Sequence, residues 1–231
     1  MIPAILYEDN HLLISVKPPN LPIQADSSGD VDMLSMLKAY VKTRYSKPGE
    51  VYLGLVHRVD RPAGGVVAFA RTSKAAARLS AQLREHRMRR SYLAVIEGNV
   101  GESGEMRDYL VKDSKTNTVS IADEGESGAR EAILHYKRIA AAGSSEILTL
   151  AEIQLETGRS HQIRVQFAGR GAPLWADARY GKARPGETAS LWGYALELTH
   201  PTRGEAMRFI AKPPERYPWS LFAEVTEGLT R

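Results

Sequence analysis

The pattern of apolar residues changes character part-way along the chain, and that change limits the possible folds more than any other feature. Up to about residue 100 short apolar runs alternate with helical repeats, and from about residue 104 the runs become strand-like and are separated by turns. Leu12 to Val16 is a strand candidate closed by Lys17-Pro18-Pro19, because proline cannot donate to a ladder. Val31 to Tyr45 reads as a helix with Leu34, Leu37 and Val41 on one face, ended by Pro48-Gly49. Val51 to Val56 and Val66 to Ala70 read as strands about a glycine-rich corner. Thr72 or Ser73 can cap a helix over Lys74 to Arg87, with Leu79 and Leu83 inward, and Tyr92 to Ile96 returns as a strand.

Further on, Glu131 to Ile139 and Ile147 to Leu155 are strands joined by a turn at Ala140-Ala141-Ala142-Gly143-Ser144. Lys112 to Gly128 is a polar, acidic surface hairpin or loop. Ser160 to Ala168 is a short helix capped by Ser160 and ending at Gly169 or Gly171. Strands near Trp192 to Leu198 and Ala206 to Ile210 precede an irregular tail marked by Pro213-Pro214 and Pro218. The expectation is one compact α+β domain over residues 1–231, with no separate N-terminal RNA-binding module.

Composition removes several chemistries. The 231 residues include no cysteine, so disulfides, thiol catalysis and cysteine-held metals are excluded. Met1 to Asp9 has no basic start or long apolar run, and no stretch reaches 18 uncharged apolar residues, so neither a signal peptide nor a membrane span is expected. The cytoplasm follows by default. Net charge is only +4, from 31 Lys and Arg against 27 acids, but Arg84, Arg87, Arg89 and Arg90 crowd around His86. Such a cluster suits phosphate contact and equally a solvated helix end.

Two segments concentrate chemistry. In Leu55 to Gly65 a hydrophobic strand runs into His57, Arg58, Asp60 and Arg61, then Pro62 and two glycines. An arginine beside an aspartate holds it ionised, ready as nucleophile or base. The competing reading is a charged turn in which His57 packs inside and Asp60 bonds its own corner. In Leu155 to Arg164, Arg159, His161, Gln162 and Arg164 gather many donors, and Arg164 shares the helical face of His161. Phosphate binding, carboxylate pairing and a bare surface helix start all fit. Tyr92 opens a strand and, taken by itself, reads more readily as core than as a site residue.

Other constellations are missing. The six histidines show no HExxH or HxH spacing, and there is neither GxGxxG after the first strand nor GxxxxGK[ST]. His57 to Asp60 has the wrong spacing for a kinase catalytic loop, and no GxSxG elbow exists.

These segments, in this order, resemble the RluA-type family of pseudouridine synthases. The family's HRLDxxTSG motif is similar to His57 through Gly65, its (K/R)xYxAxV segment to Arg90 through Val95, and its LxTGRxHQIR motif to Leu155 through Arg164. Gly171 to Gly181 and Leu196 to Pro201 are similar to the family's trailing segments, so the resemblance covers about residues 5 to 213. Val59 stands for the motif's Leu, Ala63-Gly64 for Thr-Ser, and Trp175-Ala176-Asp177 departs at the glycine before the aspartate. Two hydroxyls that could brace the catalytic loop are therefore absent.

The resemblance implies a mixed, mostly antiparallel sheet in two halves around a catalytic cleft, with peripheral helices. It implies that Asp60 attacks C1′ of a uridine or abstracts its 2′ proton, that Tyr92 stacks on the detached base, and that Arg164 pairs with the aspartate. Arg58 would fill the gap left by the flipped uridine, a base removal that costs a few kcal/mol. RNA contacts would come from His57, Arg61, Arg84, Arg87, Arg89, Arg90, Arg159, His161 and Gln162. No cofactor and no metal are required, and the partner is ribosomal or transfer RNA met by a monomer. The alternatives are a non-catalytic RNA-binding or ribosome-assembly protein on the same scaffold, and a metal-dependent nuclease using His57, Asp60 and His161.

Overall fold

The structure is a computed structural model that describes residues 2–143 and 146–230. The chain divides into two compact units: Met1–Arg90 with Gly193–Ala211, and Ser91–Trp192 with Lys212–Arg231. The fold is mixed α+β, with mostly antiparallel strand pairing and peripheral helices. Among the described residues no helix is long and apolar enough to cross a membrane.

In the first unit β1 (Ile5–Glu8) pairs antiparallel with β2 (Leu12–Lys17), which pairs antiparallel with β4 (Gly64–Ala70) from Leu12↔Ala70 to Lys17↔Gly65. All of β4 is buried, as expected of an apolar run of seven residues. The expected strand over Val51 to Val56 shrinks to β3 (Gly54–Leu55), because only those two residues find partners on β4. The expected glycine corner is also revised, since Gly64 and Gly65 lie inside β4. Gly65 has φ +121, and a Cβ there would sit 2.3 Å from the Gly193 carbonyl oxygen, so two backbones meet where no side chain fits.

Helix α1 (Met33–Arg44) forms where the apolar repeat placed it, but its buried stripe is Met33, Leu37 and Val41, at strict i+4 spacing, with Leu34 only partly covered. Asp32 caps it by accepting from the Ser35 N–H at 3.0 Å. Leu37 is fully buried, so Leu37→Ala removes about 2–5 kcal/mol of transfer and cavity energy. In α2 (Ser73–Arg84) Thr72 is the cap, accepting from Ala75 N–H, and the helix stops three residues before Arg87 because His86 turns to φ 54. Gln82, not Leu83, takes the inner position: its amide donates to the Thr199 carbonyl at 2.7 Å and accepts from the Thr199 N–H at 2.8 Å. Those bonds hold α2 against β10 (Leu191–Thr199), which pairs antiparallel with β11 (Ala206–Ile210).

The second unit orders its strands β5 (Arg89–Glu97), β9 (Leu148–Leu155), β8 (Arg130–Ala142), β6 (Ser103–Asp113), β7 (Thr118–Ala122), every pair antiparallel. The expected turn at Ala140 to Ser144 starts later than foreseen: Ala140, Ala141 and Ala142 pair with Leu150, Thr149 and Leu148, beyond a register shift after Arg138. Ser144 lies outside the described residues. The polar stretch from Lys112 closes the β6–β7 hairpin. Helix α3 (Gln162–Ala168) is capped by His161 in the left-handed region, with no side-chain cap bond, rather than by Ser160. The tail is less irregular than its prolines suggest, since Trp219–Phe222 form a 3-10 turn that leads into α4 (Ala223–Leu229).

Candidate active site

In the first unit the residues after β3 alternate inward and outward. His57 and Val59 are 5% exposed, Arg58 and Arg61 face solvent, and Asp60 is partly covered. The loop is closed by a turn in which Ala63 N–H donates to the Asp60 carbonyl at 3.1 Å. His57 is spent inside: its Nε2 accepts from the Ala68 N–H at 3.2 Å, pinning the loop to β4. Burial, reinforced by the Arg90 charge, pushes its pKa down to about 3, so the ring is neutral at physiological pH. The packed reading of His57 is the one its surroundings support.

The residue that braces this loop escaped the sequence reading. Lys17, the last residue of β2, is fully buried. Its Nζ donates to the carbonyls of Pro18 at 3.1 Å, Arg61 at 3.0 Å and Ala63 at 2.5 Å. Burial pushes its pKa down to about 7, while the Asp60 carboxylate pulls upward and Arg61 pushes down. Lys17 Nζ thus ties the end of β2 to the backbone just after Asp60, at Arg61 and Ala63. The available signal was the one charge in an otherwise apolar strand. Arg61 turns toward an acidic loop, donating to Ser28 Oγ at 3.0 Å and pairing with Asp30 and, at 3.7 Å, with Asp26.

Arg84, Arg87 and Arg89 are exposed, with Arg87 paired to Glu85 at 2.8 Å through its Nε. Arg90 is half-buried and close enough to His57 to shift its titration.

In the second unit Tyr92 is 5% exposed on β5, opposite Ile153. The start of α3 is built by Gln162, whose Oε1 accepts from Arg159 N–H at 3.0 Å and Thr157 Oγ1 at 2.8 Å, while its Nε2 donates to the Ile133 carbonyl at 3.0 Å. Gln162 is buried, and both its amide oxygen and its amide nitrogen are engaged within the fold. Arg159 is exposed and its Nε donates to the Glu131 carbonyl at 2.8 Å.

Arg164, 4% exposed, donates through Nε to Asp177 Oδ2 at 2.7 Å and through Nη2 to Asp177 Oδ1 at 2.8 Å. Tyr180 lies against the guanidinium, its ring centre 5.0 Å from Cζ, and its hydroxyl meets His161 Nδ1 at 2.6 Å. The same hydroxyl accepts from the Val119 N–H at 2.9 Å. Arg164, Asp177, Tyr180 and His161 therefore form one connected group, of which the sequence reading had singled out only Arg164 and His161. Asp177 and Tyr180 were legible only as members of the Gly171 to Gly181 segment that is similar to one of the family's trailing segments.

A family profile described as RNA pseudouridylate synthase matches residues 11–169. The chain belongs to that family, a class of isomerases. It is 29% identical over 223 residues to "Ribosomal large subunit pseudouridine synthase D" of Zymomonas mobilis subsp. mobilis, covering 91% of this chain and 69% of that protein. It is 36% identical over 179 residues to "Uncharacterized RNA pseudouridine synthase YhcT" of Bacillus subtilis, covering 77% of this chain and 57% of that one. The chain thus spans roughly three fifths to two thirds of the length of such relatives. The solved structure of "Human RNA Pseudouridylate Synthase Domain Containing 4" has the same fold, with a TM-score of 0.76 at 21% identity over 96% of this chain and 92% of that one. The profile covers both the Asp60 loop and the Arg164 helix.

Proposed function

We propose that this protein isomerises a specific uridine of ribosomal or transfer RNA to pseudouridine, with Asp60 as the attacking or proton-abstracting group. In that reaction the C1′–N1 bond breaks and a C5–C1′ bond forms. C5 gives up its proton and N1 gains one, so atoms balance without a redox partner. Tyr92 and Arg164 take the stacking and pairing roles that the resemblance gives them, and Arg58, exposed beside Asp60, takes the place of the flipped base. The exposed Arg84, Arg87, Arg89 and Arg159 supply backbone contacts to RNA. His57 and Gln162 serve these loops from inside rather than by touching RNA. The enzyme acts in the cytoplasm as a monomer.

The observation that carries this reading is the brace on the Asp60 loop within a chain of this family. A carboxylate on a loop tied through the Arg61 and Ala63 carbonyls to the buried Lys17 at the end of β2 is held in place for attack. The non-catalytic reading drew on the missing Thr-Ser hydroxyls, but in this chain the loop is still tied at Arg61 and Ala63 by Lys17. The test is tritium release from RNA labelled at uridine C5. Wild-type protein is expected to release label and Asp60→Asn to release none while retaining RNA binding within a few fold. Equal release by both proteins would remove Asp60 from the chemistry.

A further inference from the structure

We propose that Asp177 is a positioning residue for the reaction, setting the orientation of the Arg164 guanidinium through a two-point carboxylate fork backed by the Tyr180 ring. The inference rests on the reading above, in which Arg164 takes part in the chemistry. A guanidinium on three or four rotatable bonds has no fixed plane of its own, and a planar fork matched to a carboxylate gives it one. Here both partners are out of solvent: Asp177 is 0% and Arg164 4% exposed. The fork occupies the Nε and Nη2 edge at 2.7 and 2.8 Å, so the Nη1 side is turned away from Asp177.

Asp177 is itself held from behind. Its Oδ1 also accepts from the N–H groups of Arg179 at 3.0 Å and Tyr180 at 3.2 Å, and its own carbonyl accepts from the Gly181 N–H at 2.9 Å. Burial opposes its ionisation, but the Arg164 bonds and charge with those two N–H groups outweigh it and keep the carboxyl below the usual carboxylate range. Tyr180 closes the face of the guanidinium and is fixed in turn by Val119 and His161. It packs on the cluster of Leu110, Val119, Ala132 and Val165, which joins this group to the β6–β7 hairpin and to α3. A pair this well seated does more than neutralise a charge, since the Arg179–Tyr180 backbone sets where the carboxylate, and hence the arginine, can lie.

The test uses full-length protein and C5-tritiated total RNA from a strain lacking the gene, read as single-turnover release rate and as RNA retention on a filter. Asp177→Asn keeps the shape but loses the charge and puts an N–H₂ against Arg164. It is expected to slow release about a hundredfold, the scale of a group displaced by about 1 Å, with RNA retention within twofold. Arg164→Ala, measured alongside, is expected to be at least as slow. If Arg164→Ala is slow and Asp177→Asn stays within twofold of wild type, Asp177 has no positioning role and the proposed function stands. If Arg164→Ala is itself within twofold of wild type, the role of Arg164 fails and this inference with it. Should Asp177→Asn lose its folded circular dichroism, Tyr180→Leu decides on the same two readouts: a rate lowered about tenfold with RNA retention preserved supports the proposal, and an unchanged rate overturns it.

Discussion

Replacing Lys17 by Met separates what the buried ammonium costs from what it does. Its pKa moves from 10.5 to about 7 on folding, and each unit is worth about 1.4 kcal/mol. With half the population deprotonated at pH 7, burying the charge costs about 4 kcal/mol there. Met removes that cost, but leaves the Pro18, Arg61 and Ala63 carbonyls without their donor, at about 1 kcal/mol each. The two nearly cancel, so Lys17→Met is expected within about 2 kcal/mol of wild-type stability at pH 7. Between its folded and unfolded pKa values Lys17 binds fewer protons in the native state than in the unfolded one, so wild-type stability rises with pH in that window. The gain from pH 7 to 9 is about 2 kcal/mol, and it should vanish in the mutant. Urea unfolding across that range measures both. Tritium release at pH 7 should fall tenfold or more, because the Asp60 loop has lost its brace. A mutant with the wild-type pH slope, or with full activity, would refute the reasoning.

Other consequences are open to direct measurement. Ala176 has φ +58 where glycine is at ease, so Ala176→Gly should relieve about 1 kcal/mol of strain, offset in part by unfolded-state entropy, and raise the urea midpoint slightly. Gly65→Ala should destabilise by about 3 kcal/mol or more, because its Cβ would fall 2.3 Å from the Gly193 oxygen at a positive φ. His57, with its folded pKa depressed to about 3 from 6.5, draws stability down as pH falls through 6.5. The loss is about 1.4 kcal/mol by pH 5.5, and a His57→Gln protein should lack that acid slope in urea titrations.

The sequence carried the elements whose periodicity was long or whose boundaries were marked by strong breakers. The α1 repeat, β10 and β11 were legible for that reason. Isolated strand partners were not: nothing in Val51 to Val56 says that only Gly54 and Leu55 find a neighbour, because pairing is decided by β4. The expected Ser160 cap gives way to His161, which takes the left-handed region and makes no side-chain cap bond, while Gln162 Oε1 is turned back to the Arg159 N–H. Around the site, Asp60, Tyr92 and Arg164 could be read from motif order. Their supports could not, since Lys17 and Asp177 act through contacts separated by 44 and 13 residues in sequence. A lysine before two prolines reads locally as a strand end, and only tertiary structure shows the three carbonyls around it.

Mapping pseudouridines by carbodiimide treatment and primer extension across the ribosomal and transfer RNA of a deletion strain tests Asp60-dependent isomerisation at its source. The strain is complemented with wild-type protein or with Asp60→Ala. One or a few uridines should lose modification on deletion and regain it with wild type alone. An unchanged map on deletion, or restoration by Asp60→Ala, would contradict Asp60-dependent isomerisation.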